Sequence, residues 1–234
     1  MKVHIVHAHP EPRSFSSAMA DTALSTLTAD GHSVSISDLY HMSWQAVASA
    51  ADFADRSDPE YMNYAIEQRH NHQAGTLSID IQKELNHLLA ADMLILNFPL
   101  YWFSTPAILK GWIDRVLVSG TVYGGKRIYS NGGLVGKRAL ITCTLGGRAD
   151  MFGDEGIHGQ LNDLLKHLIQ GTFGYTGMTV LHPFYAFHVP YISNSERSQI
   201  LSDYRHRLAH IMDEEGLSMP DLSLYDDRFR PYHH

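Results

Sequence analysis

The run DMLILNFP, residues 92–99, constrains the fold more than any other stretch, because it is apolar at nearly every position over the length of a strand. A strand with one wet face alternates apolar and polar residues. One without alternation is covered on both faces, which is the condition of a parallel sheet held between two layers of helices. Four more short runs complete a set of five strands: KVHIVHA at 2–8, SVSISDL from Ser33, KRALITC at 137–143 and MTVLHPF at 178–184. Helical patterns fall between them. They cover 15–30 with Gly31 as the stop, IDIQKELNHLLA after Ser78, AILKGWIDRVL opened by Pro106, HGQLNDLLKHLIQGTF ending near Gly174 to Gly177, and a last helix over 195–213. Strict strand–helix alternation with right-handed crossovers predicts one doubly wound three-layer α/β domain over 1–234, with a five-stranded parallel sheet in the order 2-1-3-4-5.

Two segments stand outside this pattern. Residues 40–76 lack a clean period and are too long for an ordinary connection, so short helices and a functional role are expected there. The tail over 215–234 keeps spaced aromatics and is expected to dock as irregular chain. A formal charge of -7 with the 16 histidines neutral, and carboxylates spread along the chain, argues against nucleic acid as a partner. No apolar run reaches membrane-spanning length and MKVHIVHAH turns polar too soon for a signal peptide, so a cytoplasmic protein is expected. The lone Cys143, inside ALITCT, reads as a buried inert thiol.

In doubly wound sheets ligands bind beyond the carboxyl ends of the strands, where the winding direction reverses. The loops after strands one, three and four are the sharpest motifs here. HAHPEPRSFSSAM, residues 7–19, puts Ser14 and Ser16 at the mouth of the first helix, where free N–H groups favour an anion or form an ordinary cap. It is no Walker loop, and no G-x-G-x-x-G occurs. His4, His7 and His9 lack a completing Cys or Asp at ligand spacing, so no metal is expected. FPLYWFSTP, residues 98–106, sets Tyr101, Trp102 and Phe103 side by side at a strand end, where they cannot all face the core and a flat heteroaromatic ring can stack. TLGGRADMFGDEGIHG, from Thr144, brings Gly146 and Gly147 directly after strand four, letting backbone approach a ligand, and ends near His158, a proton donor suited to pH 7.

These segments resemble the NAD(P)H:quinone acceptor oxidoreductases of the DT-diaphorase type, a flavodoxin-like family, together with bacterial relatives such as the modulator-of-drug-activity and potassium-efflux ancillary flavoproteins. The likeness is strongest in FPLYWFSTPAILKGWIDRV, residues 98–116, and GGRADMFGDEGIHG, residues 146–159. It implies a flavin, FAD in preference to FMN, with NAD(P)H as co-substrate, a quinone-like acceptor and a homodimer. It assigns the pyrophosphate to His9, Ser14, Phe15, Ser16 and Ala18, and the isoalloxazine to Pro99, Leu100, Trp102 and Phe103, with Tyr101 where mammalian members carry glutamine. It assigns the pyrimidine edge to Thr144, Leu145, Gly146 and Gly147, the adenine end to Arg197, and cross-subunit roles to Asn63 and to the acceptor-site Tyr123.

By the same resemblance the catalytic groups are His158, the Gly147 N–H and Tyr123. The family's Tyr–His pair is here Phe152 and His158, so one phenolic donor is missing. Two functions are therefore expected from the sequence: a flavin-dependent quinone reductase passing two electrons by hydride, or a flavin-bearing regulatory subunit with secondary redox activity. A hydrolase is disfavoured, since no G-x-S-x-G elbow exists.

Overall fold

The computed structural model describes residues 1–232. Strands β1 (Lys2–His7), β2 (Ser33–Asp38), β3 (Met93–Pro99) and β4 (Arg138–Thr144) pair in parallel, with β5 (Thr179–Val180) and β6 (Phe184–Ala186) both on the outer side of β4. The order β2-β1-β3-β4-β5 is the one expected from the sequence. The missing alternation in β3 has a direct cause. Met93 and Ile95 pack with Met19, Ala23 and Leu27 of α1 (Phe15–Ala29), whereas Leu94, Leu96 and Phe98 enter the opposite core with Leu85 and Leu88 of α3 (Ile79–Ala90) and Trp112 of α4 (Ala107–Val116). α7 (Asn194–Ala209) lies beside α1, adding Tyr204 and Leu208 to that layer.

Three expected elements differ. The single fifth strand is split in two, because Pro183 has no N–H to donate to the ladder and interrupts it. The helix over 158–173 breaks into α5 (Leu161–Leu164), α6 (Lys166–Leu168) and a π-helical turn over Ile169–Gly174, in which the Tyr175 N–H reaches back to the Gln170 carbonyl at 2.8 Å. Two glycines in that turn weaken α-helical propagation. The last helix starts one residue early, because Ser193 and Glu196 form a capping box, and it stops at Ala209.

The segment over 40–76 contains a 3-10 turn at Ala50–Asp52 and α2 (Tyr64–Ala74). Arg115 anchors it: the buried guanidinium binds Asp52 Oδ1 at 2.8 Å, Asp80 Oδ2 at 2.7 Å and the Gln45 carbonyl at 2.8 Å, and lies over the Trp44 ring. In the tail, the Leu222 N–H donates to Ser130 Oγ and the Tyr232 N–H to the Leu224 carbonyl. Positions 233 and 234 of the expected docked tail lie outside the described residues.

Candidate functional site

The loops leaving β1, β3 and β4 line one cleft of about 320 Å³, within the range of small-ligand sites. From the first loop come His9, Ser14, Phe15 and Ser16. Pro99, Leu100 and Tyr101 come from the second, and Thr144, Leu145 and Gly146 from the third.

At the first loop, Ser14 is the N-cap of α1 and accepts from the Ser17 N–H at 3.1 Å. The Phe15 and Ser16 N–H groups have no acceptor among the described residues, so two free donors at the positive end of a helix open onto the cleft. His9 Nδ1 accepts from the Glu11 N–H at 3.0 Å. Burial holds the imidazole below its ordinary value, partly opposed by the Glu11 carbonyl, which lies 3.1 Å from the same ring nitrogen. Ser16 Oγ meets Thr144 Oγ1 at 2.7 Å and ties the helix mouth to the end of β4. Beneath them runs a buried polar ladder: His7 Nδ1–H donates to Asn97 Oδ1 at 2.8 Å, and Asn97 Nδ2 to Thr142 Oγ1 at 2.9 Å.

The second loop turns between Tyr101 and Ser104, whose N–H and carbonyl groups exchange hydrogen bonds at 3.0 Å. The two central residues, Trp102 and Phe103, both have positive φ, 52° and 57°. That is the handedness of a type I′ turn, which Asn-Gly adopts readily and which costs bulky residues about 1–2 kcal/mol each. No packing offsets this cost at Trp102, which is 97% exposed. Backbone held in this region clusters at functional sites.

In the third loop a side chain at Gly146 would meet nothing closer than 3.9 Å, and the backbone lies open to the cleft. At Gly147 a Cβ would sit 3.0 Å from the Phe152 ring, so glycine lets that ring approach the backbone closely. The loop folds back through Gly153 N–H to Gly159 O and His158 N–H to Met151 O, both at 3.0 Å. This returns the half-buried His158 ring to a place between Phe103 at 5.1 Å and Phe152 at 5.2 Å, at the end of the aromatic ledge.

Other sequence-derived positions lie away from the cleft wall. Ala18 is half-buried one turn into α1. Asn63 caps α2, accepting from the Ile66 N–H at 3.3 Å. Tyr123 lines a different hollow, with Asp114, Leu117 and Tyr175, and burial raises its phenol pKa. Arg197 acts at one remove: its guanidinium donates to the Val189 carbonyl at 3.0 and 3.2 Å, and Val189 and Pro190 close the fourth side of the cleft. That fourth wall went unread in the sequence, although a proline three residues before the cap of a serine-started helix marks an ordered turn. His188, with φ of 56° and its Nδ1 at 2.9 Å from the Gly146 carbonyl, joins this wall to the glycine loop. Cys143 is fully buried, and burial pushes its thiol pKa far up.

A family model described as a flavodoxin-like fold matches residues 1–210. The mouse protein named ribosyldihydronicotinamide dehydrogenase (quinone) is 39% identical over 217 residues, 92% of this chain and 94% of its own length. The rat protein named NAD(P)H dehydrogenase (quinone) 1 is 37% identical over 227 residues, 97% of this chain and 83% of its own. Among solved structures, a Klebsiella pneumoniae protein assigned as a quinone reductase superposes with a TM-score of 0.88 at 36% identity, covering 92% of this chain and 86% of that one.

Proposed function

The chain belongs to the flavodoxin-like family that includes the NAD(P)H-dependent quinone reductases, and from that premise we propose that its cleft holds FAD and that the protein reduces quinone-like acceptors with NAD(P)H. One observation carries the reading: two unpaired helix N–H groups, the Pro99–Tyr101 loop and the open Gly146 backbone line a single cleft, and the strained, exposed Trp102 and Phe103 follow directly after Tyr101 in that loop. A planar ring joined to a diphosphate has those requirements. The aromatic loop at Tyr101 would receive the apolar face, the Phe15 and Ser16 N–H groups would hold the phosphates, and the backbone at Gly146 and Gly147 would meet the polar ring edge.

A bound flavin supplies two-electron hydride chemistry between a nicotinamide and a quinone. The protein positions and holds protons. Thr144 and Ser16 fix the spacing between the phosphate end and the ring end. His158, wedged between two rings, presents an imidazole proton where negative charge develops at the ring's edge. Phe152 seals the Gly147 backbone from water but donates nothing. Arg197 holds the Val189–Pro190 wall of the cleft, and FAD rather than FMN is the flavin proposed. Identifying the released flavin by mass after denaturation separates the two.

We further propose a homodimer in which the 40–76 segment meets the partner. This is supported by Tyr61, Met62 and Ile66, which are exposed around the Asn63 cap, and is tested by sedimentation. The activity is tested by steady-state NADPH oxidation with menadione. Turnover at or above about 1 per second with flavin fully loaded, inside the usual enzyme range, supports the reading. Slower turnover points instead to a flavin-bearing regulatory subunit.

A further inference from the structure

On the far side of the sheet from the first helix, β1 and α3 bring together His4, Glu84 and His87, three side chains with no part in the cleft. One ligand atom from each lies within 4.8 Å of the others. His4 and Glu84 are buried, and the His87 side chain is 48% exposed, leaving a path from solvent. We propose that this His–Glu–His cluster binds a divalent zinc ion that ties α3 to the sheet.

The case rests on where the protons must be. His4 Nδ1 lies 2.9 Å from Ser35 Oγ, which can accept from Nδ1–H while donating to the Val3 carbonyl at 3.5 Å. In that tautomer His4 Nε2 is the free ring atom, the arrangement by which outer groups orient metal-binding histidines. His4 Nε2 is completely buried and has no hydrogen-bond partner among the described residues. It points at Glu84 Oε2, 3.7 Å away. The Glu84 carboxylate is itself held in place, accepting from Trp112 Nε1–H at 2.7 Å and from the Ser37 hydroxyl at 2.8 Å. On its other side His87 Nδ1 stands 3.6 Å from Oε1.

Two lone-pair-bearing atoms facing each other in a dry interior need a positive charge between them. A proton would draw such a pair to about 2.7–2.9 Å. Ligands of one tetrahedral zinc, each at about 2.0–2.1 Å, sit about 3.3–3.4 Å apart, somewhat closer than the 3.7 Å and 3.6 Å found here, which run to the two different oxygens of the Glu84 carboxylate. Two imidazoles and one carboxylate are a donor set that prefers zinc to magnesium or calcium. Water entering beside His87 completes the fourth position.

The test uses the full chain stripped with a chelator and then titrated with zinc sulfate while thermal unfolding is followed. At a free zinc concentration about 100-fold above Kd, the midpoint is expected to rise by roughly 5–10 °C. The rise should be lost in His87→Ala, whose half-exposed side chain can be removed without opening the core, and magnesium should not produce it. His206→Ala controls for adventitious binding at the exposed, edge-to-face His206–His210 pair at the end of α7, and should retain the rise. Zinc K-edge absorption on the wild-type protein should give two imidazoles and a carboxylate. No zinc-dependent rise, a rise that survives in His87→Ala, or one abolished by His206→Ala would overturn the proposal.

Discussion

Ser16 and Thr144, 128 positions apart in sequence, share a 2.7 Å hydroxyl–hydroxyl hydrogen bond in which the first turn of α1 meets the last residue of β4. Both are buried at the wall of the cleft. Replacing Thr144 with the near-isosteric valine is expected to strand the Ser16 hydroxyl and to cost about 1–3 kcal/mol. Adding Ser16→Ala should recover part of that loss, which a double-mutant cycle in urea reads directly. Fully additive losses would mean that the two residues act independently.

The Trp102–Phe103 turn makes stability and binding compete. Replacing the pair by Asn-Gly, which suits positive φ, is expected to stabilise the ligand-free protein by about 1–2 kcal/mol and to weaken flavin binding by tenfold or more. Thermal unfolding without ligand and a fluorescence titration with FAD measure the two effects. A variant that binds flavin as tightly as the parent would remove the ledge from the site.

Phe152 lies beside His158 with no donor of its own, at a ring separation of 5.2 Å. Phe152→Tyr adds a hydroxyl there, and a second donor at developing charge is expected to raise the rate of flavin reduction by about tenfold or more. Stopped-flow reduction by NADPH reads this step apart from product release. An unchanged rate would show that His158 and the loop backbone already suffice.

Acid should weaken the segment over 40–76 first. Burial alone would push the Glu67 carboxyl upward. Donors from the Ser57 N–H and hydroxyl, the Asp58 N–H and the Arg56 guanidinium overcome that effect and draw it from 4.5 down to about 2. A carboxyl whose folded pKa is depressed contributes stability that is present above the unfolded value and is lost as pH falls through the folded one. The stability gap between wild type and Glu67→Gln should therefore be widest above pH 4.5 and close as pH approaches 2. Urea midpoints across that range test it, and a gap that does not vary with pH would contradict the assignment.

The parts of the fold and site that were legible in the sequence are those written in local patterns. The unbroken apolar run of β3 announced a sheet covered on both faces, and the aromatic cluster and the glycine pair pointed to two loops from which Tyr101 and Gly146 line the cleft. The handedness of the aromatic turn was hidden, because Trp and Phe are the residues least expected at positive φ. The fourth wall at Val189 and Pro190 was missed because its place depends on Arg197 reaching back eight residues. His4 read as one member of an N-terminal histidine series. Its partners Glu84 and His87 lie some eighty residues onward, and parallel pairing, which separates neighbours by whole crossovers, makes such a cluster invisible to spacing.

Every functional assignment depends on the cleft taking up a flat, electron-carrying ring. The direct measurement is the visible absorption spectrum of the folded, purified chain after incubation with FAD and gel filtration, followed by anaerobic addition of NADPH. A yellow protein carrying one flavin per chain, bleached by NADPH, is the expected result. A correctly folded chain that stays colourless after exposure to both FAD and FMN would contradict the account.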